Sequence, residues 1–216
     1  MKTVNFNGKK ITPSKVICIG RNYVDHIAEL GNEVPDEMVV FLKPNSAISA
    51  QLASFHQEPL HYEAELCFLY QKNNQKNNHK SENEQGKFTA VALGLDLTKR
   101  DLQAKLKTKG LPWERAKGFD GAAVFSDFIA IDTIDNSLQL ELTIDGKVMQ
   151  SGGVELMMYK PDTILAQLSS FVTLEDGDIV MTGTPKGVGE IVANSEFIGK
   201  VKEGNKTLIS ASWLAN

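Results

Sequence analysis

The sequence predicts one mainly β domain with a few helices, an α+β class spanning residues 1–216. Three observations predict it. Short apolar runs of strand length, bounded by Gly, Pro and Asn, recur along the chain, whereas only three segments show clear helical spacing. The alternating stretch 138–144 runs into Asp145-Gly146, a strong two-residue hairpin turn, before Lys147-Val148-Met149. Finally, 216 residues, 42% of them hydrophobic, are ample for one sizeable core and short of a comfortable pair of domains.

The elements follow in order. Val16-Ile17-Cys18-Ile19-Gly20 reads as a short buried strand. Residues 22–30 have helical spacing and stop at Gly31, a C′ glycine. Val39-Val40-Phe41-Leu42-Lys43-Pro44 is extended and closed by proline. His61-Tyr62-Glu63-Ala64-Glu65 continues into Leu66-Cys67-Phe68-Leu69-Tyr70, a buried-strand run. Residues 71–87, rich in Asn, Lys, Gln and Glu without periodicity, read as a mobile polar loop. Thr89 to Leu97 is a second strand-like run. After it, Thr98 and Asp101 resemble a capping box opening a helix with Leu102 and Leu106 as its stripe, ended by Gly110 before Pro112. Pro161 opens a helix bearing Ile164, Leu165 and Leu168. Asp178-Ile179-Val180-Met181 is a strand leading into a glycine-rich loop, 182–189.

Composition excludes several classes. The formal net charge is -4 and no basic cluster interleaves with aromatics, so a nucleic-acid partner is not expected. No apolar leader and no long uncharged stretch is present, which predicts neither a signal peptide nor a membrane span. Cys18 and Cys67 lie in apolar contexts without CxxC spacing and read as buried free thiols of a cytoplasmic protein. Four histidines without HExxH disfavour the usual zinc hydrolase.

The chemistry concentrates at His61-Tyr62-Glu63-Ala64-Glu65. On a strand these alternate residues share a face, so His61, Glu63 and Glu65 are expected to point together. Neighbouring like charges resist burial, and a hard divalent cation relieves them. Asp96 is the only ionisable residue of its strand-like run and needs a cation, a donor or water. His26 and Glu29, three apart on one helix face, can form a carboxylate-oriented imidazole; in isolation they are an ordinary surface pair. Lys117, alone in its segment, reads by default as a solvated charge. The 182–189 loop could offer backbone N–H groups to an anion, but it is neither a Walker A loop nor G-x-G-x-x-G.

Together GRNYVDHIAELG, FLKP, HYEAEL, GLDLTKRDLQ, KGLPWERAKGFD and LEDGDIVMTGTPKGVG span nearly the whole chain. In this order they resemble the fumarylacetoacetate hydrolase family, most closely its acylpyruvase and oxaloacetate-converting branch. The resemblance implies a mixed β-roll or sandwich catalytic fold, usually homodimeric, with Mg²⁺ or Mn²⁺ held by Glu63, Glu65 and Asp96. It gives His26 and Glu29 the role of a water-activating dyad on a short lid helix, and Lys117 that of neutralising enolate charge. Arg21, Gln103 and Thr184 become substrate contacts. The chain departs from the family pattern at Asp120-Gly121-Ala122-Ala123-Val124, which lacks a common proline, and in the length of the 71–87 tract.

The implied substrate is a small 2-oxo acid. Hydrolysis of an acylpyruvate, decarboxylation of oxaloacetate and its tautomerisation share one enolate, and the motifs do not choose among them. An alternative is an isomerase or decarboxylase of an unsaturated oxo-diacid in aromatic-compound catabolism. A non-catalytic metal-binding domain of the same fold would not need His26, Glu29 and Lys117 together.

Overall fold

The computed structural model describes residues 1–31, 33–73 and 86–216. Its strands in chain order are β1 (Val4–Phe6), β2 (Lys9–Ile11), β3 (Lys15–Gly20), β4 (Val39–Pro44), β5 (Ile48–Ser49), β6 (Leu60–Tyr62), β7 (Ala64–Gln71), β8 (Lys87–Asp96) and β9 (Thr98–Lys99). There follow β10 (Ala123–Phe125), β11 (Ile129–Ala130), β12 (Leu138–Ile144), β13 (Lys147–Gly153), β14 (Ile179–Met181), β15 (Gly189–Glu190), β16 (Glu196–Glu203) and β17 (Lys206–Leu214). The helices are α1 (Val24–Glu29), α2 (Arg100–Thr108), α3 (Glu114–Lys117) and α4 (Pro161–Leu168).

An eight-stranded sheet runs β4-β3-β14-β7-β8-β10-β5, with β11 on β8. It is mixed: β14 is parallel to β3 and β10 to β5, while the other pairs are antiparallel. A four-stranded antiparallel sheet, β13-β12-β16-β17, packs over it, β12 against β7 and β16 against β8. Leu66, Phe68, Val91 and Leu93 meet Leu140, Leu142, Phe197 and Val201 in this layer. The sheets lie so close at Gly199 that a Cβ there would come 2.7 Å from Leu93 Cδ2. The opposite face of the large sheet carries a second core of Val16, Cys18, Cys67, Leu69, Ala92 and Phe128. Cover on both faces explains why β7 is buried along all but its last residue and lacks alternation. The expected mainly β, α+β architecture is therefore the one observed.

Local signals worked where a single residue dictates the backbone. Asp145 and Gly146 take φ of 48° and 80° and close the β12–β13 hairpin. Pro161 starts α4 at its first turn. Gly31 and Gly110, with φ of 60° and 61°, follow α1 and α2.

Three expectations are corrected. The capping box at Thr98 and Asp101 is absent: Lys99 is the N-cap of α2 and makes no side-chain cap. The Thr98 hydroxyl instead donates to the Asp96 carbonyl and accepts from Lys117. Helix α1 begins at Val24, because Asn22 is held outside it by the Tyr159 and Thr182 backbones. A break at Glu63 separates β6 from β7, so the alternation predicted from His61 to Glu65 is interrupted. The polar loop expected over 71–87 falls mostly outside the described residues, although Gln71 and Lys87 pair at its ends.

Candidate active site

The break at Glu63 and the end of β8 bring three acids together. The Asp96 N–H donates to the Glu63 carbonyl at 2.8 Å, tying the two segments at this point. Glu65, two residues on, lies opposite Gly94 in the β7–β8 register. The ligand-type oxygens of Glu63, Glu65 and Asp96 all lie within 4.8 Å of one another, and all three residues are buried. His61 is not part of this cluster; it is half-buried in the small β15-β6-β9 sheet, opposite Thr98 and Glu190.

Cations surround the cluster. Lys117 is buried, contrary to its default reading as a solvated charge, and its Nζ donates to Glu63 Oε2 at 2.8 Å, Asp96 Oδ2 at 2.9 Å and Thr98 Oγ1 at 2.7 Å. Lys43, fully buried, puts Nζ 2.7 Å from Asp96 Oδ1 and donates to the Ala122 and Lys117 carbonyls. Arg100 gives Nη2 to Glu63 Oε1 at 2.5 Å and Nη1 to Gln103 Oε1 at 2.8 Å. Burial alone would raise Glu63, but Lys117, Arg100 and His26 outweigh it and hold the carboxyl well below its ordinary range. Glu65 goes the other way: burial, then Asp96 and Glu63, push it well up. Burial would lower Lys117, yet Asp96 and Glu63 raise it, so it remains an ammonium.

The glycine-rich loop spends its N–H groups on the chain's own carboxylates. Gly183 N–H donates to Glu65 Oε2 at 2.7 Å, and Gly187 N–H to Glu29 at 2.9 and 3.1 Å. Gly187 sits at φ 99°, where a Cβ would also strike the Met149 carbonyl. Thr184 Oγ1 donates to the Ala64 carbonyl and accepts from Gln150 Nε2, both at 2.8 Å. On α1, His26 Nδ1 is 3.2 Å from Glu29 Oε2, and His26 is buried over the acid cluster. The exposed pair Lys186–Asp25 makes a second tie between loop and helix.

Arg21, His26, Gln103, Lys117, Thr184 and the three acids all line one cavity. Its free space is about 30 Å³, room for little more than a water or two. Glu29 stands behind His26. Sequence reasoning missed Lys43, Asn22, Arg100, Gln150 and Lys107. Two of these had a signal: Lys43 is two residues from buried Phe41 on the same strand face, and Arg100 is three residues before Gln103 on α2.

All three clustered donors are carboxylates, the ligand type that hard divalent cations prefer. An ammonium already bridges two of them, and in Glu65 the Gly183 N–H and Lys117 do not offset burial and the two neighbouring acids. The residues fit a divalent cation. Fold and site thus define an enzyme of β-roll architecture with a buried three-carboxylate centre beneath a histidine–carboxylate dyad. The chain belongs to the fumarylacetoacetate hydrolase family, whose C-terminal-domain model matches residues 15–211. It is 38% identical to the mitochondrial oxaloacetate tautomerase of Bos taurus over 84% of each chain. It is 37% identical to the mitochondrial oxaloacetate decarboxylase of Dictyostelium discoideum, over 83% of this chain and 85% of that one. Among solved structures, fumarylpyruvate hydrolase from Pseudomonas aeruginosa, in complex with Mn²⁺ and pyruvate, superposes with a TM-score of 0.84 at 27% identity, covering 99% and 95% of the two chains.

Proposed function

We propose that this chain is a divalent-cation-dependent enzyme that converts short 2-oxo acids through an enolate, with oxaloacetate and acylpyruvates as its substrates. The observation that carries the reading is the cluster of Glu63, Glu65 and Asp96, two of them bridged by Lys117, in the cavity that His26 also lines. A cation held by the three carboxylates would supply Lewis-acid charge to an enolate oxygen. Lys117, fixed as an ammonium, serves as a hydrogen-bond donor to developing negative charge and not as a base. With Nδ1 directed at Glu29, His26 keeps Nε2 as the proton-accepting atom. That atom moves the C3 proton in tautomerisation, or takes one from water that attacks the distal carbonyl of an acylpyruvate. Arg21, Gln103 and Thr184 orient the substrate.

The small cavity implies that α1 lifts to admit substrate, then recloses through Glu29–Gly187 and Asp25–Lys186. Reclosure excludes bulk water and sets His26 over the reacting carbon. We further read residues 1–216 as one catalytic domain, Mg²⁺ or Mn²⁺ as the cation, a homodimer as the assembly and the cytoplasm as the compartment. These rest on the family resemblance and composition; no helix among the described residues is long and apolar enough to cross a membrane.

The test is pyruvate release from oxaloacetate and acetylpyruvate, with the enol-to-keto absorbance change of oxaloacetate followed in parallel, after chelation and after Mg²⁺ is restored. Cation-dependent turnover of at least one substrate is expected, and the three rates rank tautomerase, decarboxylase and hydrolase. In His26→Ala the rate should fall by roughly 10²–10⁴, with cation affinity unchanged. Full activity after chelation contradicts the reading.

A further inference from the structure

Gln150 is a buried amide on β13, in the four-stranded sheet, yet its side-chain hydrogen bonds all go to segments that build the active site. A β-bulge aims it there. In the β12–β13 register Leu142 faces Gln150 while Thr143 faces Val148, so Met149 is an extra residue on β13. Such an insertion bends the strand and re-aims the side chains beside it. Two glycines let the 182–189 loop settle onto this stretch. A Cβ on Gly187 would come 3.3 Å from Gln150 Cγ, and one on Gly152 would come 2.8 Å from Pro185 Cβ.

The partners fix the orientation of the amide. The Ala64 N–H can only donate, so it meets Oε1, at 2.9 Å. The Pro185 carbonyl can only accept, so it meets Nε2, at 2.7 Å. The other Nε2 hydrogen goes to Thr184 Oγ1 at 2.8 Å. The Thr184 hydroxyl then turns its own proton to the Ala64 carbonyl, also at 2.8 Å. Ala64 stands between the acids Glu63 and Glu65, where β6 breaks from β7. Its N–H and its carbonyl are both engaged by this network. On the loop side, the residue before Thr184 gives its N–H to Glu65, and Gly187 gives its own to Glu29.

We propose that Gln150 is a positioning residue of the cation centre. Its amide fixes the backbone between Glu63 and Glu65 and fastens the glycine-rich loop against it, so one side chain from the second sheet sets the spacing of two ligands. Gln150 does not line the cavity; it acts through Ala64 and Thr184. The proposal rests on the divalent-cation reading above and adds a residue to it.

The test uses Gln150→Met, which keeps the length of the side chain and leaves the Ala64 N–H and the Pro185 carbonyl without their partner. Mn²⁺ is titrated into chelated wild type and variant by calorimetry, and the EPR spectrum of the bound ion is recorded. Gln150→Met should bind Mn²⁺ about tenfold more weakly, the usual loss when a group behind the ligands is removed, with a changed EPR spectrum. Thr184→Val should weaken Mn²⁺ by a smaller factor. The double variant should lose less than the product of the two, because both changes break one network. Asp178→Ala removes buried hydrogen bonds to Ser14 and Lys15 away from the cluster; it should lose stability and keep the wild-type affinity and spectrum.

Wild-type Mn²⁺ affinity and spectrum in Gln150→Met overturn the proposal and leave the cation reading standing. An equal loss of affinity in Asp178→Ala makes the effect general and also overturns it. If Gln150→Met does not fold, Thr184→Val decides, and unchanged affinity and spectrum there overturn the proposal. Failure of wild type to bind Mn²⁺ overturns both the proposal and the reading beneath it.

Discussion

Asp178 and the Glu63–Glu65–Asp96 cluster are buried acids of the same eight-stranded sheet, handled in opposite ways. Asp178, just before β14, accepts from Ser14 N–H at 3.0 Å, Ser14 Oγ at 2.6 Å, Lys15 N–H at 3.2 Å, Lys15 Nζ at 2.5 Å and Glu175 N–H at 2.9 Å. Burial alone would raise its carboxyl, but the Lys15, Ser14 and Glu175 hydrogen bonds outweigh it and hold it below the usual range. The cluster instead packs three carboxylates together, so that Glu65 is pushed up by burial and by its own neighbours. One acid is fully matched by donors from two segments and fastens β3 to β14. Of the other three, Glu63 and Asp96 share the Lys117 ammonium, and Glu65 is the one whose charge costs stability until a cation joins it. A buried charge is structural where the fold completes its partners, and functional where the fold leaves the completion to a ligand.

The largest effect that separates the two regions is on cation binding. Glu65→Gln should weaken Mn²⁺ by roughly a hundredfold and remove cation-dependent turnover with it. The chelated variant should melt no lower than wild type, since a like charge has been relieved. Next in size, Asp178→Ala strands the Ser14, Lys15 and Glu175 N–H donors and should cost about 3 kcal/mol of unfolding free energy by denaturant titration. A large loss of stability in Glu65→Gln, or none in Asp178→Ala, would collapse the contrast.

Acid sharpens it further. The folded Asp178 carboxyl lies below its unfolded value of about 3.9. Its stabilisation is therefore complete above that value and is lost as pH falls through the lower folded one. Unfolding free energy followed from pH 5 downward should drop more steeply in wild type than in Asp178→Asn. The smallest change is expected from Lys15→Met, which removes one of five donors at a partly exposed lysine. It should lower stability by about 1 kcal/mol and leave Mn²⁺ affinity untouched.

The contrast was only half legible in the sequence. Asp145-Gly146, Pro161 and the long run of β7 announced their structures because backbone geometry or sustained apolarity decides them locally. Glu63, Glu65 and Asp96 stood out as acids beside apolar runs, though the shared-face argument that singled them out failed at His61. What brings Glu63 and Glu65 to Asp96 is the break at Glu63 and the β7–β8 register, and neither follows from alternation. Lys117 owed its role to family resemblance, for nothing in Trp113-Glu114-Arg115-Ala116 tells that the next lysine is buried. Lys43 and Arg100 were passed over because their partners lie 53 and 37 residues away in the chain. The Thr98 cap was legible and wrong: its hydroxyl serves Lys117 instead. The β16–β17 hairpin has no clear sequence signal because Ile198 stands on the outer face of β16 and Gly199 on its buried face, which blurs the alternation.

Calorimetric titration of chelated protein with Mn²⁺, in wild type, Glu65→Gln and Asp178→Asn, tests the central claim most directly. One cation per chain should bind wild type and Asp178→Asn with equal affinity, and Glu65→Gln roughly a hundredfold more weakly. Equal binding by wild type and Glu65→Gln would contradict the account and place any cation elsewhere in the molecule.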